Sequence, residues 1–90
     1  MTEGANRLPG GTSRAVLAYL ARQLVGSPEA VGVELSGGEG GAPVRLRLEV
    51  APDDVGRVIG RRGRTAQAIR ALTRAAAARD GDEVFVDIAD

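Results

Sequence analysis

Two glycines three residues apart, Gly60 and Gly63, bracket an arginine pair inside the run Val58-Ile59-Gly60-Arg61-Arg62-Gly63-Arg64, and the sequence on both sides has helical character. No other stretch constrains the chain as much. Glycine on either side of two bulky residues lets the backbone turn a corner within four positions, and the missing Cβ atoms let another molecule's backbone approach closely. Thr65 to Ala78 is rich in helix formers. The turn therefore ends at a helix N-terminus, where unpaired N–H groups and the macrodipole favour an anion such as phosphate.

Charge is distributed to match. The formal net charge is zero, but from Gly56 to Arg79 there are seven arginines (57, 61, 62, 64, 70, 74 and 79) and no acid, which leaves five arginines against all twelve acids elsewhere. Every basic residue is arginine, whose planar fork matches phosphate bidentately. A charge run by itself describes a solvated helix face; coinciding with the glycine turn, it describes an anion-binding surface.

At 90 residues the chain is long enough for one small core and too short for a second domain. It has no cysteine and no histidine, so disulfides, thiolate or imidazole metal sites and histidine-based triads are excluded by inventory. No apolar run approaches the roughly 18 residues of a membrane span, and the N-terminus lacks a signal-peptide layout. The expectation is a cytoplasmic protein, not an enzyme, with no cofactor, metal, small-molecule substrate or membrane contact.

In chain order, residues 1–12 read as a disordered tail and 13–90 as the folded domain. Thr12 or Ser13 can cap a helix to about Val25, with Leu17, Leu20, Ala21 and Leu24 at the spacing of one buried face. Val31, Val33 and Leu35 alternate as a strand, the glycine-rich stretch 36–43 is a loop, and Val44, Leu46, Leu48 and Val50 form the clearest period-two run, giving an antiparallel hairpin. Pro52 opens a short helix with Asp53 and Asp54 at its positive end, and Val55, Val58 and Ile59 point inward. Gly60 stops it. In the next helix, from about Arg64 to Ala78, Ile69, Leu72 and Ala76 define the buried stripe with Thr65 at its upper end, while Arg64, Gln67, Arg70 and Arg74 fall opposite. Asp80-Gly81-Asp82 breaks the helix before a last strand through Val84, Val86 and Ile88. The order α-β-β-α-α-β predicts an α+β sandwich with helices on one face of a three-stranded sheet.

This order, with VIGRRGRTAQAIR at the helix-turn-helix, resembles the type II KH domain. That family's pattern is an apolar residue, then Gly-x-x-Gly with a basic residue between, then a helix with an apolar residue further on; Ile59, Gly60, Arg61, Arg62, Gly63 and Ile69 occupy those places. The run Ala51-Pro52-Asp53-Asp54-Val55-Gly56-Arg57-Val58-Ile59-Gly60 is similar to that of the single-domain bacterial KH proteins of the KhpA/YlqC family. The resemblance spans about Ser13 to Ile88 and implies single-stranded RNA binding, as a chaperone or post-transcriptional regulator. On that resemblance, Gly60 and Gly63 give close approach, Arg61 and Arg62 meet phosphates, Val58 and Ile59 supply apolar groove surface, and Arg57, Arg64 and Arg70 extend the basic rim. It also implies a dimer, with itself or with a larger KH-containing protein of the KhpB/Jag type, and a link to cell shape and division. The eleven-residue tail and the Gly37 to Gly41 loop depart from shorter relatives.

Other readings stand beside this one. The same residues suit a KH-fold protein-interaction subunit whose groove or strand edge binds another chain. A helix-hairpin-helix DNA binder also sets glycines between helices, although at closer spacing. Asp53 and Asp54, adjacent on a helix, point apart and serve the helix dipole rather than acid-base or metal chemistry. The glycine loop lacks the lysine and hydroxyl of a P-loop. Having only Tyr19 and Phe85 as aromatics argues against a base-stacking platform such as an RRM or a typical OB-fold.

Overall fold

The computed structural model describes residues 9–89, which form one layer of helices over one sheet. The elements are α1 (Gly11–Leu24), β1 (Gly32–Gly37), β2 (Val44–Glu49), α2 (Val55–Ile59), α3 (Arg64–Arg79) and β3 (Val84–Ile88). The order and the helix-over-sheet architecture are those anticipated from the sequence. The tail expected in 1–12 falls mostly outside the described residues; within them, helix α1 already begins at Gly11.

Strand β2 lies between its partners. It pairs antiparallel with β1, Val33 opposite Leu48 and Leu35 opposite Leu46, and parallel with β3, Leu46 opposite Val86. Its alternation is complete: Val44, Leu46 and Leu48 are buried, while Arg45, Arg47 and Glu49 face solvent. The outward face is laced with charge, with Arg45 3.8 Å from Asp87, Arg47 3.6 Å from Glu49, and the Arg45 guanidinium over the Phe85 ring. Such a face stays wet, so the helices cover only the other side.

The core joins Leu17 and Ala21 of α1, Val44, Leu46 and Leu48 of β2, Val58 of α2, Ile69 and Ala77 of α3, and Val84 and Val86 of β3. Helices α1 and α3 pack side by side above the sheet. The structure corrects the expected stripes here. In α1 the buried line is Ser13, Leu17 and Ala21, with Leu20 half-buried and Leu24 38% exposed; in α3 it is Ala66, Ile69, Thr73 and Ala77, with Leu72 55% exposed. Small residues line the helix contact because they let the two backbones approach, and the larger leucines are rotated out of it. The hydroxyls in this line bond locally: Ser13 Oγ donates to the Gly10 carbonyl at 3.1 Å and Thr73 Oγ1 to the Ile69 carbonyl at 2.7 Å. The cap of α1 also differs, since left-handed Gly10 occupies the N-cap and its N–H donates to Asp82 Oδ2 across 72 residues.

Candidate nucleic-acid interface

The turn is built as its sequence requires. Helix α2 ends when the Gly60 N–H donates to the Gly56 carbonyl at 2.9 Å, and the turn closes with the Gly63 N–H on the Gly60 carbonyl at 3.1 Å. Gly60 has φ 76° and ψ 173°. A Cβ there would collide with Thr65 Oγ1 and lie 2.6 Å from Thr65 Cβ, so both conformation and space demand glycine. At Gly63, φ is 74° but a Cβ would meet nothing within 4 Å, so only the backbone conformation selects glycine.

Between them Arg62 is held at φ 58° and ψ 25°, the one non-glycine residue with positive φ among those described. A left-handed L-residue costs about 1–2 kcal/mol, and such strain marks sites where side-chain direction matters. Gly63 caps α3 without a side-chain hydrogen bond, and the Arg64 N–H donates back to the Arg61 carbonyl, so the positive end of a 16-residue helix lies beside the arginines. Arg61, Arg62 and Arg64 are exposed, and among the described residues their side chains have no carboxylate partner. A helix dipole and three cations with no carboxylate partner among the described residues converge on one corner, an arrangement suited to a phosphate backbone.

The remaining sequence-predicted residues divide. Val58 is fully buried in the core; it anchors α2, and the apolar surface expected of the pair falls to half-buried Ile59 alone. Arg57 is 62% exposed but leans 3.8 Å from Asp54, with its guanidinium over Gly26 at the end of α1. Arg70 leaves the rim: its Nε donates to the Val86 carbonyl of β3 at 3.1 Å.

Sequence reasoning missed Asp54. Its position after Pro52 suggests only a dipole acid, yet its side chain is 6% exposed and its two oxygens accept the Gly26 and Ser27 N–H groups at 3.0 and 3.1 Å. Those donors sit past the end of α1, so the carboxylate ties that turn to the start of α2 and fixes the helix carrying Gly60. The one signal in the string is the acid pair itself, which does not reveal a partner 28 positions away. Asp53, next to it, is exposed.

Helix α3, about 24 Å long, runs away from the turn, the chain reverses through residues 80–83, and β3 returns beside it. The open edge of β3 thus faces α3, and the turn lies at the end of the groove where β3 finishes. At the far end Arg74, Asp82, Glu83, Val84 and Phe85 line a cavity. The groove is basic at the turn and acidic where the chain reverses, so an anionic ligand is drawn to the turn end. On the opposite flank of α3, Leu20, Leu24, Ala68 and Leu72 border an apolar depression between α1 and α3. No helix among the described residues is long and apolar enough to cross a membrane.

Comparison with known proteins agrees with this fold. Residues 14–88 match the family model described as KhpA/KhpB, KH domain. The chain is similar to proteins named RNA-binding protein KhpA. That of Caldanaerobacter subterraneus subsp. tengcongensis is 45% identical over 69 residues, covering 77% of this chain and 89% of the relative. That of Clostridium acetobutylicum is 41% identical over 75 residues, covering 83% and 97%. That of Leifsonia xyli subsp. xyli is 42% identical over 74 residues, covering 82% and 92%.

Proposed function

This chain belongs to the KhpA/KhpB KH-domain family, and we propose on that footing that it binds single-stranded RNA, holding the RNA backbone at the Gly60–Gly63 turn. The observation that carries this reading is the left-handed Arg62 with its neighbours Arg61 and Arg64, which have no carboxylate partner among the described residues, at the N-terminus of α3. Gly60 and Gly63 admit the sugar-phosphate chain, Arg61, Arg62 and Arg64 meet phosphates, and Ile59 lies under the bases. The family's relatives are named for RNA binding, and the protein acts as a binding module rather than an enzyme, a cytoplasmic chaperone or post-transcriptional regulator.

The deciding experiment titrates a labelled single-stranded RNA with wild type and with the Arg61→Asp, Arg62→Asp variant at two salt concentrations, with circular dichroism to verify the fold. Wild type should bind with a log–log salt slope of about −0.7 per phosphate contact, and the folded variant should lose binding. Equal binding by both would move the site away from the turn.

A second reading concerns partners. One KH surface contacts about four nucleotides, so useful affinity calls for a second surface supplied by another chain. Leu24 and Leu72, both exposed beside half-buried Leu20, support association through the α1–α3 flank, with a second copy or with a larger KhpB/Jag-type protein. Analytical ultracentrifugation of wild type and Leu72→Asp tests the first case: a shift from dimer to monomer supports it, and a monomeric wild type overturns it.

A further inference from the structure

The sheet has two open edges, and an arginine from the helix layer reaches down to each. On β1 the ladder ends where the Gly38 N–H donates to the Pro43 carbonyl at 3.2 Å. Peptide groups alternate sides along a strand, so Gly32, Glu34 and Ser36 face β2 while Val33 and Leu35 face outward. Arg14 Nε of α1 donates to the Val33 carbonyl at 3.1 Å. The other edge repeats the arrangement: Ala89, whose N–H donates to the Leu48 carbonyl at 2.8 Å, faces β2, so Val84, Val86 and Ile88 face outward, and Arg70 Nε of α3 donates to the middle one, Val86, at 3.1 Å. The β3 edge also faces its helix, whereas among the described residues no strand pairs with the outer edge of β1.

An unpaired strand edge is a template for another strand, and the outer edge of β1 fits a second copy of itself in one register. Gly37 is left-handed at φ 81°, and the Val31 N–H already donates to the Pro28 carbonyl at 3.1 Å. Val33 and Leu35 are therefore the outward residues able to carry a regular ladder. A two-fold pairing that uses both sets Val33 of each copy opposite Leu35 of the other, with four N–H to carbonyl bonds. Two features oppose it. Two of its four acceptors are Val33 carbonyls, each already bonded to Arg14. Its centre also places Glu34 directly opposite Glu34 of the second copy, like charges at the closest spacing an antiparallel pair allows. Both side chains are exposed, so neither is required by the core.

We propose that Arg14 and Glu34 guard the β1 edge and keep it from pairing with β1 of a second copy. The edge is a latent self-association surface that opens when Arg14 is withdrawn. It lies in the sheet, away from the helix flank of Leu24 and Leu72, and does not depend on RNA binding.

The chain has no cysteine, so one introduced thiol reports one contact. In the pairing register position 34 meets position 34 of the second copy with Cα atoms about 4.5 Å apart, inside the roughly 4.4–6.8 Å that a disulfide spans. Glu34→Cys and Glu34→Cys with Arg14→Ala are compared for disulfide dimer formed under a mild oxidant, read by non-reducing electrophoresis, with Glu29→Cys as an exposed control off the edge and circular dichroism to verify the fold. Without Arg14 the position-34 dimer should form about tenfold faster, the equivalent of about one hydrogen bond, while the position-29 rate stays unchanged. Arg14→Met, which keeps the stem and lacks the donor, should act as Arg14→Ala does and replaces it if the alanine variant fails to fold. Equal position-34 rates with and without Arg14 overturn the proposal. Equal acceleration at positions 34 and 29 also overturns it, because Arg14 would then hold the fold together rather than close the edge.

Discussion

The chain has two glycine-rich corners, Gly37 to Gly41 and Gly60 to Gly63, and both bend through left-handed backbone. In the first, the glycines serve the hairpin itself. A Cβ on Gly37 would sit 2.5 Å from the Pro43 carbonyl oxygen, buried Gly38 packs under Pro9 and Val44, and the loop bonds back on itself, Gly38 N–H to Pro43 and Ala42 N–H to Glu39. Its one charged side chain is acidic. In the second, one glycine is demanded by packing against Thr65, one by conformation, and between them stands an arginine in a conformation that disfavours it. Glycine density therefore does not identify a site. Strain on a charged residue, cations without a carboxylate partner and a helix N-terminus behind them do, and among the described residues only the second corner combines them.

The largest effect that sharpens this contrast should come from Gly60→Ala. The collision with Thr65 and the positive φ together should remove about 3 kcal/mol of stability, lowering Tm by more than about 10 °C, as read by thermal circular dichroism. A Tm within a few degrees of wild type would mean that the turn relaxes freely and that Gly60 is not demanded by its packing.

Next in size is a transplant. Arg61→Asp with Arg62→Asp should weaken RNA binding by about 100-fold, because it removes two charge-assisted bonds to phosphate. Adding Glu39→Arg and Gly40→Arg to that variant returns most of the positive charge, yet affinity should stay low because the hairpin loop has no helix N-terminus behind it. Recovery of binding, measured by fluorescence anisotropy, would show that charge alone suffices and would erase the distinction between the corners.

Arg62→Gly should separate stability from function. Relief of the left-handed arginine should raise stability by about 0.5–1 kcal/mol, a Tm gain of a few degrees, while RNA affinity falls roughly tenfold for want of one charge-assisted phosphate bond. A variant that loses stability would show that Arg62 contributes to the fold.

The smallest effect is expected at Gly40, where a Cβ meets nothing within 4 Å and φ is 61°. Gly40→Ala should cost about 1 kcal/mol from its backbone conformation alone and leave RNA binding unchanged in the same titration. A loss of affinity there would bring the hairpin loop into the interface.

Much of this is legible before folding because it is local. The element order follows from hydrophobic period, the alternation of Val44, Leu46 and Leu48 being the plainest case, and Gly60 is placed as a helix stop by its neighbours alone. The segregation of seven arginines from the acids is likewise a property of the string. Leu72 and Leu24 escape this reading because a 3.6-residue period locates an apolar arc only to within one position to either side, and hydrophobicity favours leucine where the helix contact required Ala66, Thr73 and Ala77.

By itself, then, the sequence determined which segments are helix and strand, where the chain turns between α2 and α3, and that this turn is basic, since each depends on dihedral preferences and charges a few residues apart. The tertiary structure decided the partners of the polar side chains that tie its elements together: Asp54 on the backbone of Gly26 and Ser27, Arg70 on Val86, and Arg14, whose Nε donates to the Val33 carbonyl at 3.1 Å on the other open edge of the sheet. Those bonds join a side chain to a peptide group 16 to 28 positions away. Any peptide group is chemically equivalent as a donor or acceptor, so nothing in residue identity marks the one that will be met. Strand register and helix packing bring that group within reach, and they exist only in the assembled fold.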